Sequence, residues 1–281
     1  VWATAVGVAR VRALESAREN PLFRDPLARA FAAAGGLWPA SPPLPDGDDE
    51  GARRRRAAVA FSIVIRTGFL DDLLRQASAS GIRQVVLLGA GMDSRAFRMD
   101  WPGGTRLFEV DTAAPLEFKA SVLRQEGAVA RCERITVAVD LRDDWPGALA
   151  AAGHDPTLPT VWIAEGLLIH LPQDAVESLL TRIGARSAPG SRMGLTLGSP
   201  GVIERFAADA APGSAASMWV SEMPDDPAGR LAGHGWAAET HTLRERATAY
   251  GRPMSTPPRR EEGPGGLVSA VRGRGSGTTG G

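Results

Sequence analysis

The chain has 281 residues, which fits one large α/β domain with elaborations or at most two small ones. Its 32 Lys and Arg balance its 32 Asp and Glu, so overall charge gives no sign of nucleic-acid or anionic-membrane partners. The single cysteine, Cys132, excludes an internal disulfide; no Cys/His spacing suggests zinc, and no apolar run approaches the roughly 20 residues of a membrane span.

Lys119 is the only lysine, and Ala, Gly and Pro are abundant, a bias that reads as GC-rich coding. The N-terminus carries no basic-then-apolar leader pattern, and the expectation is a soluble, cytoplasmic protein.

In chain order, residues 4–34 read as helical, with Val8, Val11, Leu14, Leu22, Phe23, Leu27 and Phe31 at helical spacing and a break near Asn20-Pro21. Gly35 to Gly51, rich in Pro, Gly and Asp, reads as an exposed loop. Residues 57–79 predict an amphipathic helix with Val59, Ile63, Phe69, Leu70, Leu73 and Leu74 on one side. Strands follow at 84–89, 105–110, 134–139, 160–164 and 191–197, with helices at 113–125, 143–152 and 173–187 between them. This alternation of short apolar strands with helices argues for a doubly wound parallel sheet. Two further strands, Trp236–Thr242 and Gly266–Val271, flank a helix over Leu243–Tyr250. The weakly periodic stretch 199–227 reads as a helical excursion or lid, and the Gly/Ser/Thr tail 273–281 as disordered. The domain reading is therefore an N-terminal helical cap over 1–80 and an α/β core over 81–272.

The functional signal is the order of residues that end the strands. The first strand runs into Gly89-Ala90-Gly91, where backbone can turn tightly and approach a ligand. The second ends on Asp111, about 20 residues past Gly91, where a nucleotide site places a carboxylate for two ribose hydroxyls. The third is followed by Asp140-Leu141, an acid for an exocyclic amine beside an aliphatic face for a base. The fourth is followed by Glu165-Gly166. Ligands of open α/β sheets bind beyond the carboxyl ends of the strands, so these residues share one rim. A glycine turn alone is also compatible with a bare strand-to-helix turn; the ordered acids argue against that reading. A dinucleotide fingerprint wants Gly or Ala where Ser94 stands, which disfavours a nicotinamide dehydrogenase. S-adenosylmethionine suits the rim, since it brings a ribose, an adenine and a methionine amine but no phosphate. Arg66 is then a candidate for bidentate pairing with the cofactor carboxylate.

These segments resemble the leucine carboxyl methyltransferase family, in particular its bacterial O-methyltransferase branch, some of whose members act in natural-product pathways. The motifs occur in the family's order: Ala13-Leu14-Glu15-Ser16 with Leu22-Phe23-Arg24-Asp25-Pro26; Arg66-Thr67-Gly68-Phe69-Leu70-Asp71; Leu88-Gly89-Ala90-Gly91-Met92-Asp93-Ser94-Arg95. Then come Phe108-Glu109-Val110-Asp111, Val139-Asp140-Leu141, Ala164-Glu165-Gly166-Leu167-Leu168 and Tyr250-Gly251-Arg252-Pro253. The resemblance implies a class I methyltransferase (Rossmann-like) sheet of seven strands, the last antiparallel, with a helical cap. It also implies S-adenosylmethionine contacts at Arg66, Gly89, Asp111, Asp140, Leu141 and Glu165. The chain departs from the family at His170, where a tyrosine is common, and over 199–227.

The expected activity is methyl transfer to a carboxylate of a small molecule or peptide in secondary metabolism. A carboxylate with a pKa of roughly 4 is already ionised at neutral pH and needs no general base. A phenol or alcohol acceptor would need one, and His170 is then the best placed of the four histidines. The plainer reading of His170 is a surface or helix-start residue. Arg53–Arg56 reads as a solvated charge run, Arg95 and Arg98 as holding the glycine loop by pairing with Asp93 or Asp111, and the tryptophans as packing. Trp219 is the one tryptophan that could reach substrate. A scaffold that has lost transfer is the reading from outside enzymology, and the intact rim argues against it.

Overall fold

Short runs of aliphatic and β-branched residues make strands here because the middle of the sheet is buried on both faces. The computed structural model describes residues 2–38, 50–198, 225–254 and 266–273. Its strands are β1 (Gln84–Leu88), β2 (Arg106–Asp111), β3 (Glu133–Ala138), β4 (Thr160–Ala164), β5 (Arg192–Thr196), β6 (Trp236–His241) and β7 (Leu267–Arg272). They form one seven-stranded sheet in the order β3-β2-β1-β4-β5-β7-β6. β1 to β5 pair in parallel, whereas β7 runs antiparallel to both β5 and β6. The chain winds outward from β1 to β3 and returns to β4 beside β1, so the reversal of winding falls between β1 and β4. That crevice is where open α/β sheets bind ligands.

Every residue of β1 and β4 is buried. Their side chains alternate between two cores, as a two-residue period requires. On one face Val85, Leu87 and Ile163 meet Ile65, Phe69, Leu70 and Leu74 of helix α3 (Glu50–Ala79). On the other, Val86, Leu88, Phe108 and Trp162 meet Trp145 and Leu149 of α6 (Trp145–Ala151) and Leu179, Leu180 and Ile183 of α7 (Gln173–Ala185). The remaining helices are α1 (Trp2–Ser16), α2 (Ala28–Ala34), α4 (Arg95–Arg98), α5 (Ala113–Gln125), α8 (Pro227–Gly233) and α9 (Leu243–Ala249), with a 3-10 turn over Leu168–His170. Side chains start several of them: Asp144 accepts the Gly147 N–H, Asp226 accepts the Gly229 N–H, and Thr242 with Glu245 forms a capping box.

Strand β4 and helix α5 fall where the apolar pattern places them, and the other strands differ by a residue or so at their ends. Three expectations need correction. Helix α3 begins at Glu50, not 57, so Glu50 and Gly51 belong to it and not to the loop. Its first turns carry exposed arginines and extend past the core, which is why no apolar period marks them. The break between α1 and α2 spans 17–27 rather than a point near Asn20-Pro21, because Asp25 and Glu15 organise that stretch by hydrogen bonds described below. Finally, the buried face of α1 is Val6, Ala9 and Ala13 with Arg12 and Glu15, whereas Leu14 is 45% exposed. Small residues there let the helix approach closely, and Arg12 reaches inward for a carboxylate. Of the stretch 199–227 read as a lid, residues 199–224, Trp219 included, lie outside the described residues, as does the tail from 274; Pro227 opens α8.

Candidate functional site

At the carboxyl end of β1 the chain turns through two glycines with left-handed backbone, Gly89 at φ 64° and Gly91 at φ 43°. Non-glycine residues are strained there. Space is tight as well: a Cβ on Gly89 would lie 3.0 Å from Leu167 Cδ1, and one on Gly91 would lie 3.0 Å from Ala5 Cβ. The loop after β4 and helix α1 therefore close over the turn. Ala90 N–H donates to Val110 O at 3.1 Å, and Gly91 N–H donates to Asp111 Oδ2 at 2.8 Å. Asp111 Oδ1 accepts the Thr112 N–H at 2.7 Å. Oδ1 also accepts the Thr112 hydroxyl at a long 3.5 Å. A carboxylate offers about four acceptor positions, so Asp111 has one open and a second wherever that weak contact yields.

Beyond β4 stands a buried ion network. Glu165 Oε1 accepts from Arg66 Nε at 3.1 Å and from Thr67 Oγ1 at 3.4 Å, while Glu165 Oε2 pairs with Arg95 Nη1 at 2.9 Å. Arg95 Nε donates to Asp71 Oδ1 at 2.7 Å, Arg95 Nη1 also reaches Asp93 Oδ2, and the Arg95 N–H donates to Asp93 Oδ1 at 2.7 Å. Arg98 holds both oxygens of Asp71, at 2.6 and 2.8 Å. Burial alone would raise these acids, yet the arginines prevail. Glu165 is lowered by Arg95 and Arg66, Asp71 by Arg98 and Arg95, and Asp93 falls to about 2 beside Arg95. All three stay ionised at neutral pH. Arg66 uses Nε on Glu165, and its Nη1 and Nη2 donate to no described residue. Among the described residues, the end of its fork can therefore take a carboxylate.

Helix α1 is latched onto this loop. Arg12 Nε pairs with Asp25 Oδ2 at 2.8 Å and Arg12 Nη2 donates to the Met92 carbonyl. Glu15 accepts the Leu22 N–H at 2.7 Å and Arg252 Nη2 at 3.0 Å, so it ties the 17–27 turn to the segment after α9.

The β3 end differs. Asp140 is bridged by its neighbour Arg142, with Nε at 2.9 Å and Nη2 at 2.6 Å, and it accepts the Arg142 N–H at 2.9 Å. Those hydrogen bonds hold Asp140 at about 2. Leu141 packs half-buried at the margin of the second core. Gly166 N–H donates to Thr196 Oγ1 at 2.7 Å, joining the β4 loop to the end of β5. His170 closes the 3-10 turn, half-buried. Among the described residues no group of three or more His, Cys, Asp or Glu is placed to hold a metal ion.

Of the residues singled out from sequence, Gly91 bonds Asp111, with Gly89 and Ala90 in the same turn, and Arg66 bonds Glu165, with Gly166 next to it in the chain. Asp140 and Leu141 stand at the next strand end, and Asp140 bonds locally. Arg95 does pair with Asp93, as expected, but neither Arg95 nor Arg98 pairs with Asp111. Their pairing with Asp71 and Glu165, and the Arg12–Asp25 latch, have no local signal in the sequence. One signal could have exposed Asp71: on α3 it shares with Thr67 and Ser78 a buried polar stripe at helical spacing, beside the apolar one.

A family model described as leucine carboxyl methyltransferase matches residues 5–184. A Streptomyces avermitilis protein with the provisional name S-adenosyl-L-methionine-dependent methyltransferase is 85% identical over 272 residues, covering 97% of this chain and 95% of its own. A Streptomyces coelicolor protein of the same provisional name is 82% identical over 272 residues, with 97% and 95% covered. Among solved structures, a DUF574 family protein from Streptomyces avermitilis superposes with a TM-score of 0.57 at 14% identity, over 95% of this chain and 97% of that one. That last likeness is one of fold alone.

Proposed function

Since the chain belongs to the leucine carboxyl methyltransferase family and is an S-adenosylmethionine-dependent methyltransferase, we propose that it methylates a carboxylate of a small molecule or peptide, in the cytoplasm and in secondary metabolism. The observation that carries the site assignment is the Gly91–Asp111 hydrogen bond at 2.8 Å beside a clamped Glu165 and an open Arg66 fork. Asp111 would take the ribose hydroxyls, with Gly89, Ala90 and Gly91 as the backbone against which the cofactor lies. Arg66 would hold the methionine carboxylate through Nη1 and Nη2. Glu165, ionised and turned to the rim, would face the methionine amine with Gly166 beside it. Asp140 and Leu141 would take the adenine, once Arg142 shares or yields the Asp140 oxygens.

When bound, the cofactor supplies a methyl group on a sulfonium, an electrophile whose transfer removes no proton from the methyl. A carboxylate acceptor is already ionised at neutral pH, so the chain's own work is orientation and exclusion of water. Leu167 over Gly89 and Ala5 over Gly91 are the residues placed to exclude it. The secondary-metabolic setting rests on the family resemblance alone.

Calorimetry with S-adenosylhomocysteine tests the assignment: heat is expected with the wild type and a weaker isotherm with Asp111→Ala. No heat with the wild type, or an unchanged affinity in the variant, would count against it. For the acceptor, the transfer rate with a carboxylate substrate should stay flat between pH 6 and 8. A limb titrating in that range and lost in His170→Ala would move the assignment to a hydroxyl acceptor with His170 as base.

A further inference from the structure

Arg95 is 1% exposed and its guanidinium lies between three carboxylates from three different elements. Asp71 belongs to α3, Asp93 to the glycine turn and Glu165 to the loop after β4. None of the contacts in the proposed site requires Arg95 to touch the cofactor. Two residues proposed to touch it depend on Arg95. Glu165 receives Arg95 on Oε2 and Arg66 on Oε1, so its carboxylate is fixed from both sides. Arg66 in turn is oriented through its Nε by that same carboxylate, with its fork beside Gly166, where a Cβ would lie 3.1 Å from Nη2 and 3.3 Å from Nη1. The Arg95 main chain is also bound to Asp93 Oδ1 at 2.7 Å, so one carboxylate of the glycine turn holds both the main chain and the guanidinium of Arg95.

We propose that Arg95 is the positioning residue of the cofactor site, setting Glu165 and, through it, the Arg66 fork, with Asp71 as its fixed anchor in the core. This rests on the cofactor assignment above and extends it to a side chain that stays buried. Lysine cannot replace it, because an ammonium lacks the planar fork that serves Nε and Nη1 partners at once. A neutral glutamine would also leave a buried carboxylate facing Arg66 alone. The groups around Glu165 are Arg66 and Thr67 from α3, Arg95 and Asp93 from the glycine turn and α4, and, farther off, Arg12 from α1. With Arg95 neutral, burial and Asp93 push the Glu165 carboxyl upward against one remaining adjacent arginine.

The test uses the full chain, with S-adenosylhomocysteine as probe and circular dichroism as the check of folding. Arg95→Lys should raise the Kd roughly tenfold or more while the protein stays folded. Arg95→Gln should add a loss of affinity as pH falls from 8 to 5, a loss absent from the wild type and abolished in the Arg95→Gln, Glu165→Gln double variant. Asp71→Asn, which touches neither Glu165 nor the cofactor, should weaken binding in the same direction by less. Wild-type affinity in folded Arg95→Lys, or a pH response that survives Glu165→Gln, overturns the proposal. So does collapse of the fold in both Arg95→Lys and Asp71→Asn, which would assign the network to stability alone. If the wild type itself fails to bind the probe, the cofactor assignment falls instead.

Discussion

The two halves of the rim are built on different physics. On the β1/β4 side, Glu165 has a side chain 13% exposed and its partner Arg95 one only 2% exposed. Apart from Asp93, two residues from Arg95, their partners come from distant parts of the chain, as in Arg66–Glu165, 99 residues apart. On the β3 side, Asp140 is 27% exposed and its partner Arg142, two residues on, is 75% exposed. Buried charges are tolerable only when paired, so the first half is locked, whereas an exposed local pair is screened and contributes little. The proposed methionine end of the cofactor thus meets a preorganised surface, and the proposed adenine end an adjustable one. Placement of the methyl group would be decided on the locked side.

Breaking the lock should give the largest effect. Asp71→Ala strips a fully buried carboxylate from Arg95 and Arg98 and leaves both arginines without that partner. Cutting a buried pair of this kind costs about 3–5 kcal/mol, and urea unfolding should show it as a lower midpoint with an unchanged slope. A midpoint within error of the wild type would mean the network relaxes into water. Next comes Asp111→Ala, between the two halves. Asp111 is half-buried and bonds only to Gly91 and Thr112 backbone and the Thr112 hydroxyl among described residues, so stability should change little. Affinity for S-adenosylhomocysteine should fall roughly tenfold to a hundredfold, the size of losing charge-assisted hydrogen bonds to the ribose.

The pH dependence sharpens the contrast further, because the acid limits of the two edges of the sheet differ. His154, near the amino end of β4, is packed against Phe108 and Trp162 and bonds Thr160 Oγ1 at 3.0 Å. Burial lowers it from 6.5 to about 4. Its folded-state pKa is depressed, so the unfolded chain binds the extra proton first. The stability it contributes is full above pH 6.5 and is lost as pH falls from 6.5 toward 4. At the rim, Asp93 sits at about 2 against an ordinary 3.8, so its contribution survives to pH 4 and is lost between there and about 2. Urea midpoints from pH 7.5 to 4.5 should decline in the wild type and flatten in His154→Gln. A decline that persists in the variant would place the sensitive group elsewhere.

How far the sequence carries follows from the same division. Strands β1 to β5 and helix α5 are legible because each is a local apolar run bounded by turn residues, and their order alone puts Gly91, Asp111, Asp140 and Glu165 on one edge. Asp140 and Arg142 are neighbours in sequence, so their pairing needs no fold to bring them together. The locked half is another matter. Arg95 meets Asp71 from 24 residues away, and Arg12 meets Asp25 across a turn that no periodicity marks. A buried ion pair leaves no apolar period, so nothing local in the sequence joins Arg95 to Asp71 or Arg12 to Asp25. The first turns of α3 failed for the converse reason: Arg53, Arg54 and Arg56 are exposed and helical by continuity with the packed part beyond them.

The smallest effect expected is at Arg142, and its sign is informative. Asp140 is the acid proposed for the exocyclic amine of adenine, and Arg142 already lies along both of its oxygens. If the amine has to displace the guanidinium, Arg142→Ala should tighten S-adenosylhomocysteine binding slightly. If Asp140 accepts both at once, the guanidinium holds the carboxylate in place and its removal should loosen binding slightly. The backbone hydrogen bond from the residue 142 N–H to Asp140 Oδ1 survives the substitution and keeps the carboxylate turned toward its own loop. Displacement is therefore the outcome we expect, as a gain of no more than a few-fold that fades with added salt, since the pair is exposed and screened. A loss comparable to that of Asp111→Ala would show that the β3 end is as rigidly prepared as the β4 end, and the contrast between the two halves would no longer stand.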